Sequence, residues 1–291
     1  MNTFYVITNY QKDPELRTAS LVRDYLEQKG KVCYIQGREC KSAEGHEKES
    51  HYRYTDAGRI PAEVEGVLVI GGDGTLLQAA RDTVDRGLPL LGINMGTLGY
   101  LAEIECKNII PALDRLIEGQ YMVEQRMMLY GEAGHHGKKM MGDIALNDIV
   151  ITRNGRLRVV DFNVYVDGEF LKSYSADGVI ISTPTGSTGY NLSAGGPIVA
   201  PQASMMLLTA IAPHTLTTRP IVLPDDVAIT IEIGAGHGTD MDGAEVTFDG
   251  DTSVKLNSGD RITVTRSQKT AQLIKTKNTS FLEILREKMN K

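Results

Sequence analysis

Residues 66–75 read GVLVIGGDGT. The stretch from Gly66 to Ile70 has no polar break, which predicts a strand buried on both faces. Glycines then crowd around Asp73, and clustered glycines let backbone N–H groups converge on an anion. Downstream, Leu76, Leu77, Ala80 and Val84 keep helical spacing up to a stop at Gly87, and Leu88–Ile93 predicts another strand. Strand, turn, helix and strand make a βαβ unit of a parallel sheet. Its GGDGT turn lies at a strand's carboxyl end, where open α/β sheets bind ligands. The lysine-bearing phosphate loop G-x-x-x-x-G-K-[ST] is absent. Bound phosphate repels a carboxylate unless a cation or proton intervenes, so Asp73 is expected to face a hydroxyl or a metal. Phosphoryl transfer uses such a carboxylate to orient and deprotonate an attacking hydroxyl.

Upstream, Phe4–Thr8 predicts a strand. Asp13-Pro14-Glu15 predicts a helix start, with Leu16, Ala19, Val22 and Leu26 as its apolar face and Gly30 as its stop. Lys31–Ile35 is a further strand. From Gln36 to about Pro61 the pattern is weak, which predicts a long mobile loop of the kind that covers active sites. Beyond about residue 120 the texture turns to strands: Met122–Tyr130, Asp143–Thr152, Val159–Val166, Phe170–Tyr174, Val179–Ser182, Ile221–Val222, Val227–Ile233, Glu245–Phe248, Ser253–Leu256 and Arg261–Thr265. Asp167-Gly168 is a hairpin turn between two of them. The chain ends in a helical pattern over 279–291, with Phe281, Leu282, Leu285 and Met289 on one stripe that must dock. The predicted fold is a Rossmann-like parallel α/β domain, 1–120 plus 267–291, carrying GGDGT, and a sandwich-like β-rich domain, 121–266. The last helix returns to the first domain.

Length allows one large domain or two ordinary ones: the chain has 291 residues. Hydrophobic residues at 41% and charged residues at 23% exclude wholesale disorder. A net charge of −6 without a basic stripe argues against a nucleic-acid partner. Cys33, Cys40 and Cys106 form no C-x-x-C pair and no disulfide framework, which fits a reducing cytoplasm. The N-terminus lacks a signal-peptide pattern, and the apolar run 203–208 is far too short to span a membrane.

Two further segments carry chemistry. ADGVIISTPTGSTGYNLSAGGPIV, residues 176–199, gathers hydroxyls (Ser182, Thr183, Thr185, Ser187, Thr188), the ring of Tyr190 and the carboxylate of Asp177. Neutral hydrogen-bonding groups with a stacking ring suit a nucleoside, while a plain hydroxyl-rich loop is the bland reading. Asn147 and Asp148 interrupt an apolar run, and such a pair is costly when buried unless satisfied. His135-His136, without zinc spacing, reads as a solvated loop; His214 reads as structural or near the site. Arg153, Arg156 and Arg158 read as phosphate contacts or as solvated charges.

Taken together, GGDGT (71–75), GINMGTLGYLAE (92–103), LND (146–148), DGVIISTPTGSTGYNLSAGGPIV (177–199) and IAPHTLTTRP (211–220) resemble the NAD kinase family in order and spacing. The turn alone is shared with diacylglycerol and sphingosine kinases and 6-phosphofructokinases; the STPTGST-Y block with its downstream GGP is the discriminating piece. The resemblance implies an active site in a cleft between an α/β and a β-rich domain. It implies phosphorylation of the adenosine-ribose 2′-hydroxyl of NAD to NADP, with ATP as donor, a divalent cation such as Mg²⁺ held mainly by the donor phosphates, and a homodimer or homotetramer.

Carried over by position, Asp73 resembles the base that takes the 2′-hydroxyl proton. Gly72 and Gly74 resemble phosphate-approach positions, with Thr75 opening the helix. Asn147 and Asp148 match the family's Asn-Glu pair around adenosine. By the same resemblance, Thr188 and Tyr190 would meet and stack on adenine, with Gly189 between them, and Asp177, Thr185 and Ser193 would line the same pocket. The chain departs from the pattern at Asp148, one methylene shorter than Glu, and at Gly189, where alanine is common. Two other classes share features of this sequence: a lipid kinase of the diacylglycerol type, and a non-catalytic NAD(P) sensor that would have no use for Asp73.

Overall fold

The computed structural model describes residues 1–37, 55–96, 99–102, 104–135, 138–154, 160–215, 217–234, 243–277 and 280–289. Most of the loop predicted over 36–61 lies outside the described residues. Among those described, residues within 1–126 and 271–289 gather into one compact unit and those within 127–270 into another.

The first unit begins with β1 (Thr3–Thr8), α1 (Arg17–Gln28) and β2 (Val32–Ile35). It continues with β3 (Gly66–Gly71), α2 (Asp73–Thr83), β4 (Leu90–Asn94), β5 (Ile104–Glu105) and α3 (Ile109–Ile117). All strand pairs are parallel, in the order β2-β1-β3-β4, with β5 beside the end of β4. β3 is buried throughout, as its unbroken apolar run predicts. α1 and α3 pack Ala19, Val22, Leu26, Leu113 and Leu116 against Phe4, Val6, Leu68, Ile70, Leu91 and Ile93. From the opposite face, Leu76 of α2 lies against Gly92, where a Cβ would sit 3.1 Å from its side chain. The helix α3 was not foreseen: its apolar period is clear, but the Pro111 inside it reads as a breaker, and only its position in the first turn makes it tolerable.

α1 starts three residues later than Asp13-Pro14-Glu15 predicts, with Leu16 in place of Asp13 at the N-cap. Leu16 takes a left-handed conformation and carries no side-chain cap. Asp13, 4% exposed, still does the capping from outside the helix: its carboxylate accepts the N–H of Thr18 at 3.1 Å and of Ala19 at 3.0 Å.

The second unit takes up the chain within β6 (Met122–His135), from Met127 onward, and runs through β7 (Lys138–Ala145), β8 (Asp148–Asn154), β9 (Val160–Val166), β10 (Glu169–Ala176) and β11 (Gly178–Ser182). A short α4 (Tyr190–Ser193) precedes β12 (Met205–Ile211), β13 (Ile221–Pro224), β14 (Ile229–Ile233), β15 (Gly243–Phe248), β16 (Thr252–Leu256) and β17 (Arg261–Lys275). One antiparallel sheet orders as β10-β9-β14-β17 and the other as β13-β12-β11-β8-β15-β16. Phe162, Val164, Ile231 and Ile262 of the first share one core with Ile149, Ile151, Ile181, Leu208 and Phe248 of the second. That is a β-sandwich, built on the period-2 alternation seen along β9 and β14. Asp167-Gly168 turns β9 into β10 with φ of 50° and 83°, the positive pair that a tight hairpin needs.

Three strand expectations change. The run Asp143–Thr152 breaks into β7 and β8 at Leu146-Asn147, β12 forms from an apolar run the sequence left unassigned, and β17 extends to Lys275. The end of β17, from Ala271 onward, and α5 (Phe281–Met289) belong to the first unit, where Leu273 pairs with Leu90 of β4. The expected stripe of α5 is covered in part: Phe281 and Leu285 are half-buried and Lys288 Nζ lies 5.3 Å over the ring of Tyr100, while Leu282 and Met289 are 71% and 72% exposed.

Replacing Asp13 with alanine removes an external cap whose ligands open α1. Urea unfolding is expected to show a loss of about 1–2 kcal/mol. An unchanged midpoint would mean that the two N–H groups find water at no cost.

Candidate functional site

The GGDGT turn is held by its neighbours. Thr75 occupies the space above Gly71, where a Cβ would fall 2.3 Å from Thr75 Oγ1. Asn9, buried after β1, donates from its side-chain amide to that same Oγ1 at 3.3 Å, and its backbone N–H bonds Ile70 at 2.9 Å. Gly72 is the N-cap of α2 and has no side chain with which to cap it. The helix's first N–H groups therefore receive no acceptor from the N-cap, and the positive end of its dipole suits an anion.

Asp73 does not face outward to a metal-ligating cluster. Its Oδ2 accepts the N–H of Tyr100 at 2.8 Å, and its Oδ1 accepts those of Leu101 at 3.3 Å and Ala102 at 3.1 Å. Gly99 permits this approach, since a Cβ there would lie 1.9 Å from the carboxylate. An ionised carboxylate has about four acceptor sites, so the amides leave room for one more donor. No group of three or more His, Cys, Asp or Glu side chains gathers to hold a metal among the described residues.

The lysine missing from the motif comes from elsewhere in the chain. Lys12 Nζ stands where a Cβ on Gly72 would be only 2.9 Å away. The turn that presents it is tied by Lys12 N–H to Asn9 O at 2.9 Å. Lys12 is exposed, and no carboxylate pairs with it among the described residues.

In the second unit, Asn147 and Asp148 sit at the bend between β7 and β8, and Asp148 is 6% exposed. Asp249 shapes this bend: Oδ2 accepts the N–H of Leu146 at 2.7 Å, and Oδ1 accepts those of Asn147 at 2.8 Å and Asp148 at 3.0 Å. Burial, then the nearby charge of Asp249, pushes the Asp148 carboxyl up to about 7. The hydroxyl-rich loop docks onto the same bend. Asn147 O accepts the Thr183 N–H at 2.8 Å, and Leu146 O accepts Thr183 Oγ1 at 2.6 Å. Gly186 is required there, because a Cβ would meet Asn147 O at 2.2 Å. Asn191, wholly buried, locks the far side by donating to Ser187 O and Pro197 O and accepting from Thr209 Oγ1.

These contacts bring Asn147, Asp148, Thr185, Thr188 and Gly189 together. A Cβ on Gly189 would lie 3.5 Å from Asn147 Nδ2 and 3.9 Å from Asp148 Oδ2. Asn147 Oδ1 and Thr185 Oγ1 are buried without a partner among the described residues. Tyr190, 44% exposed, opens α4, and Ser193 closes it at the surface. Asp177 does not join the group. It lies beyond the opposite end of β11 from Ser182, roughly 16 Å along the strand, and pairs with Arg153 at 2.8 Å. That ion pair also settles Arg153, whereas Arg156, Arg158 and His136 lie outside the described residues. His135 Nδ1 meets the buried Asp260, and exposed His214 bonds Ser175 O through its backbone at 2.9 Å. Asp249 and Lys12 were missed by sequence reasoning. The FDG pattern at 248–250 signals only a turn, and Lys12 lies sixty residues from the glycines it joins.

A glycine turn with an uncapped helix at a parallel strand's end, and a buried polar bend under a hydroxyl-rich loop, define a nucleotide-handling protein. The sequence profile of the ATP-NAD kinase N-terminal domain matches residues 16–121, and that of the ATP-NAD kinase C-terminal domain matches residues 146–276. NAD kinases of Lachnospira eligens and Agathobacter rectalis are 41% and 43% identical, with 99% of this chain covered and 100% and 99% of theirs. In fold, the chain is similar to the yeast NADH kinase complexed with NADH (TM-score 0.80, 24% identity, 100% of this chain and 88% of that one). It is also similar to an Archaeoglobus fulgidus NAD kinase in complex with ATP (TM-score 0.73, 23% identity, 100% and 99%). The chain belongs to the NAD kinase family, and is an enzyme of that family. The lipid-kinase and sensor alternatives left open by the motifs have no counterpart among these relatives. No helix is long and apolar enough to cross a membrane among the described residues.

Asp148 ties this site to pH. Its folded value of about 7 stands above the ordinary 3.8, so the fold favours the neutral acid. The stability this contributes is fully present below about pH 4 and is lost as the pH rises through about 7. Asp148→Asn should therefore gain on the wild type as the pH rises from about 4 to about 7, by up to a few kcal/mol in chemical denaturation. A difference independent of pH would refute the buried-acid assignment.

Proposed function

We propose that this enzyme transfers the γ-phosphoryl group of ATP to the 2′-hydroxyl of the adenosine ribose of NAD, forming NADP and ADP. The observation that carries the reading is the buried bend at Asn147-Asp148. An amide oxygen and the Thr185 hydroxyl lie there without partners among the described residues, beside an acid removed from water. Buried polar groups cost free energy until a ligand satisfies them, and a nucleoside offers the hydroxyls and ring nitrogens to do so. The exposed ring of Tyr190 supplies a stacking face. Relatives named NAD kinase over the full length of the chain support the same substrate.

In this reaction the ribose 2′-oxygen attacks the γ-phosphorus as the bond from that phosphorus to the β,γ-bridging oxygen breaks, and ADP leaves. The hydroxyl proton passes to Asp73 at the acceptor site that the amides of residues 100–102 leave unused. Those amides hold the carboxylate still and keep it oriented before substrate arrives. Gly72, Gly74 and the N-terminus of α2 admit the donor phosphates, and Lys12 neutralises them in place of the absent motif lysine. Mg²⁺ would add charge neutralisation on those phosphates. It keeps several waters when bound and asks for few protein oxygens.

A coupled assay that reads NADP formed from NAD and Mg-ATP tests the reading directly; no NADP at any NAD concentration would end it. Asp73→Asn is expected to lower kcat by roughly 10²–10⁴ while NAD still binds. Turnover like the wild type's would remove Asp73 as the base. For Lys12→Met, the KM for ATP should rise about tenfold with the KM for NAD unchanged. An unaltered ATP dependence would leave Lys12 without a role.

A further inference from the structure

We propose that Asp249, in the turn between β15 and β16, is a positioning residue for the nucleoside, acting through the backbone of Leu146-Asn147-Asp148. This rests on the reading of the bend as the NAD site and deepens it. A hairpin turn by itself accounts for the conformation of Asp249, whose φ of 51° is followed by 70° at Gly250. It does not account for where the side chain goes. The carboxylate leaves the turn and accepts three successive N–H groups of another loop, at 2.7, 2.8 and 3.0 Å. Asp249 N–H also donates to Asp148 O at 3.0 Å, so the two segments are bonded in both directions.

Three consecutive amides pointing at one acceptor force the chain out of the strand conformation on either side. That is why β7 stops at Ala145 and β8 begins at Asp148. The break turns Asn147 Nδ2 and Asp148 Oδ2 towards Gly189, and it presents the carbonyls of Leu146 and Asn147 to Thr183. Asp249 thus registers both halves of the site, the polar pair and the hydroxyl loop, without contacting the nucleoside.

Its charge has a second effect. Among the described residues, Asp249 is the charged group acting on Asp148. Ser182, opposite in register on β11, and Gly189, above it, are neutral. Burial is the larger cause of Asp148's elevated value and Asp249 the next. The ionised form of Asp148 accepts ribose hydroxyls best, so NAD affinity should weaken as the pH falls through about 7. Removing the Asp249 charge should move that acid limb to lower pH, part of the way back to an ordinary aspartate.

The test is Asp249→Asn in the full chain, with Asp167→Asn as control. Asparagine tolerates a positive φ, so both turns can persist. Asp167 sits in a shorter hairpin turn at a similar φ of 50° and accepts a single N–H, that of Ala228 at 2.8 Å. NAD affinity is read by direct titration across the pH range, beside kcat at saturating NAD and thermal stability. In Asp249→Asn the dissociation constant for NAD should rise about tenfold at pH 8. The acid limb of binding should shift down by about one pH unit. kcat at saturating NAD should stay within about threefold. In Asp167→Asn the affinity and the limb should stay in place. Loss of stability in both variants, with affinity and limb unmoved, would overturn the proposal and leave Asp249 a turn residue. A wild type that neither binds NAD nor forms NADP would instead sink the functional reading itself.

Discussion

A carboxylate that gathers three successive backbone N–H groups is the interaction on which both candidate sites depend. It occurs twice, with Asp73 holding residues 100–102 and Asp249 holding residues 146–148. In each case a loop that has no regular partner for its amides receives one from a single side chain. Hydrogen bonds to a charged acceptor are stronger than neutral ones, and three on one carboxylate restrict a loop that would otherwise sample many conformations. Catalytic groups need this restriction, because a displaced reacting atom forfeits the advantage of proximity.

The glycines follow from these anchors. Gly99 leaves space for the Asp73 carboxylate, and Gly186 lets the hydroxyl loop rest on the Asn147 carbonyl that Asp249 has turned outward. Gly196 likewise clears the amide of Asn191, where a Cβ would fall 2.0 Å from Oδ1. None of these three has a positive φ. Their requirement is close approach, and the partner that imposes it lies far away in sequence. The open space around Gly74 and the lysine beside Gly72 give the same turn a different surface, suited to an anion.

Legibility in the sequence tracked the range of the forces involved. The strand at 66–71 and the helix after it were readable because unbroken apolar character and helical period are local. The hairpin at Asp167-Gly168 was readable because its chemistry is contained in two residues. The start of α1 was misplaced because its cap, Asp13, reaches in from outside the helix. The strand expected over 143–152 was broken by Asp249, a hundred residues downstream. The apolar stripe of α5 was readable as a pattern, yet periodicity carries no information on how much of it a surface covers: Phe281 and Leu285 are half-buried, Leu282 and Met289 are not.

The residue order alone determined the two kinds of texture, α/β before about residue 120 and β after it, the placement of GGDGT at the end of a buried parallel strand, and the motif set that resembles a kinase of NAD. Hydrophobic period and turn chemistry act between near neighbours, so they survive translation into one dimension. Only the tertiary structure decided where the charges act. It committed Asp73 to the amides of residues 100–102, paired Asp177 with Arg153 away from the Asn147 group, brought Lys12 to a glycine loop without a lysine, and set Asp249 behind Asp148. Electrostatic and hydrogen-bonding partners are chosen by distance in space, and that distance exists only once the chain has folded.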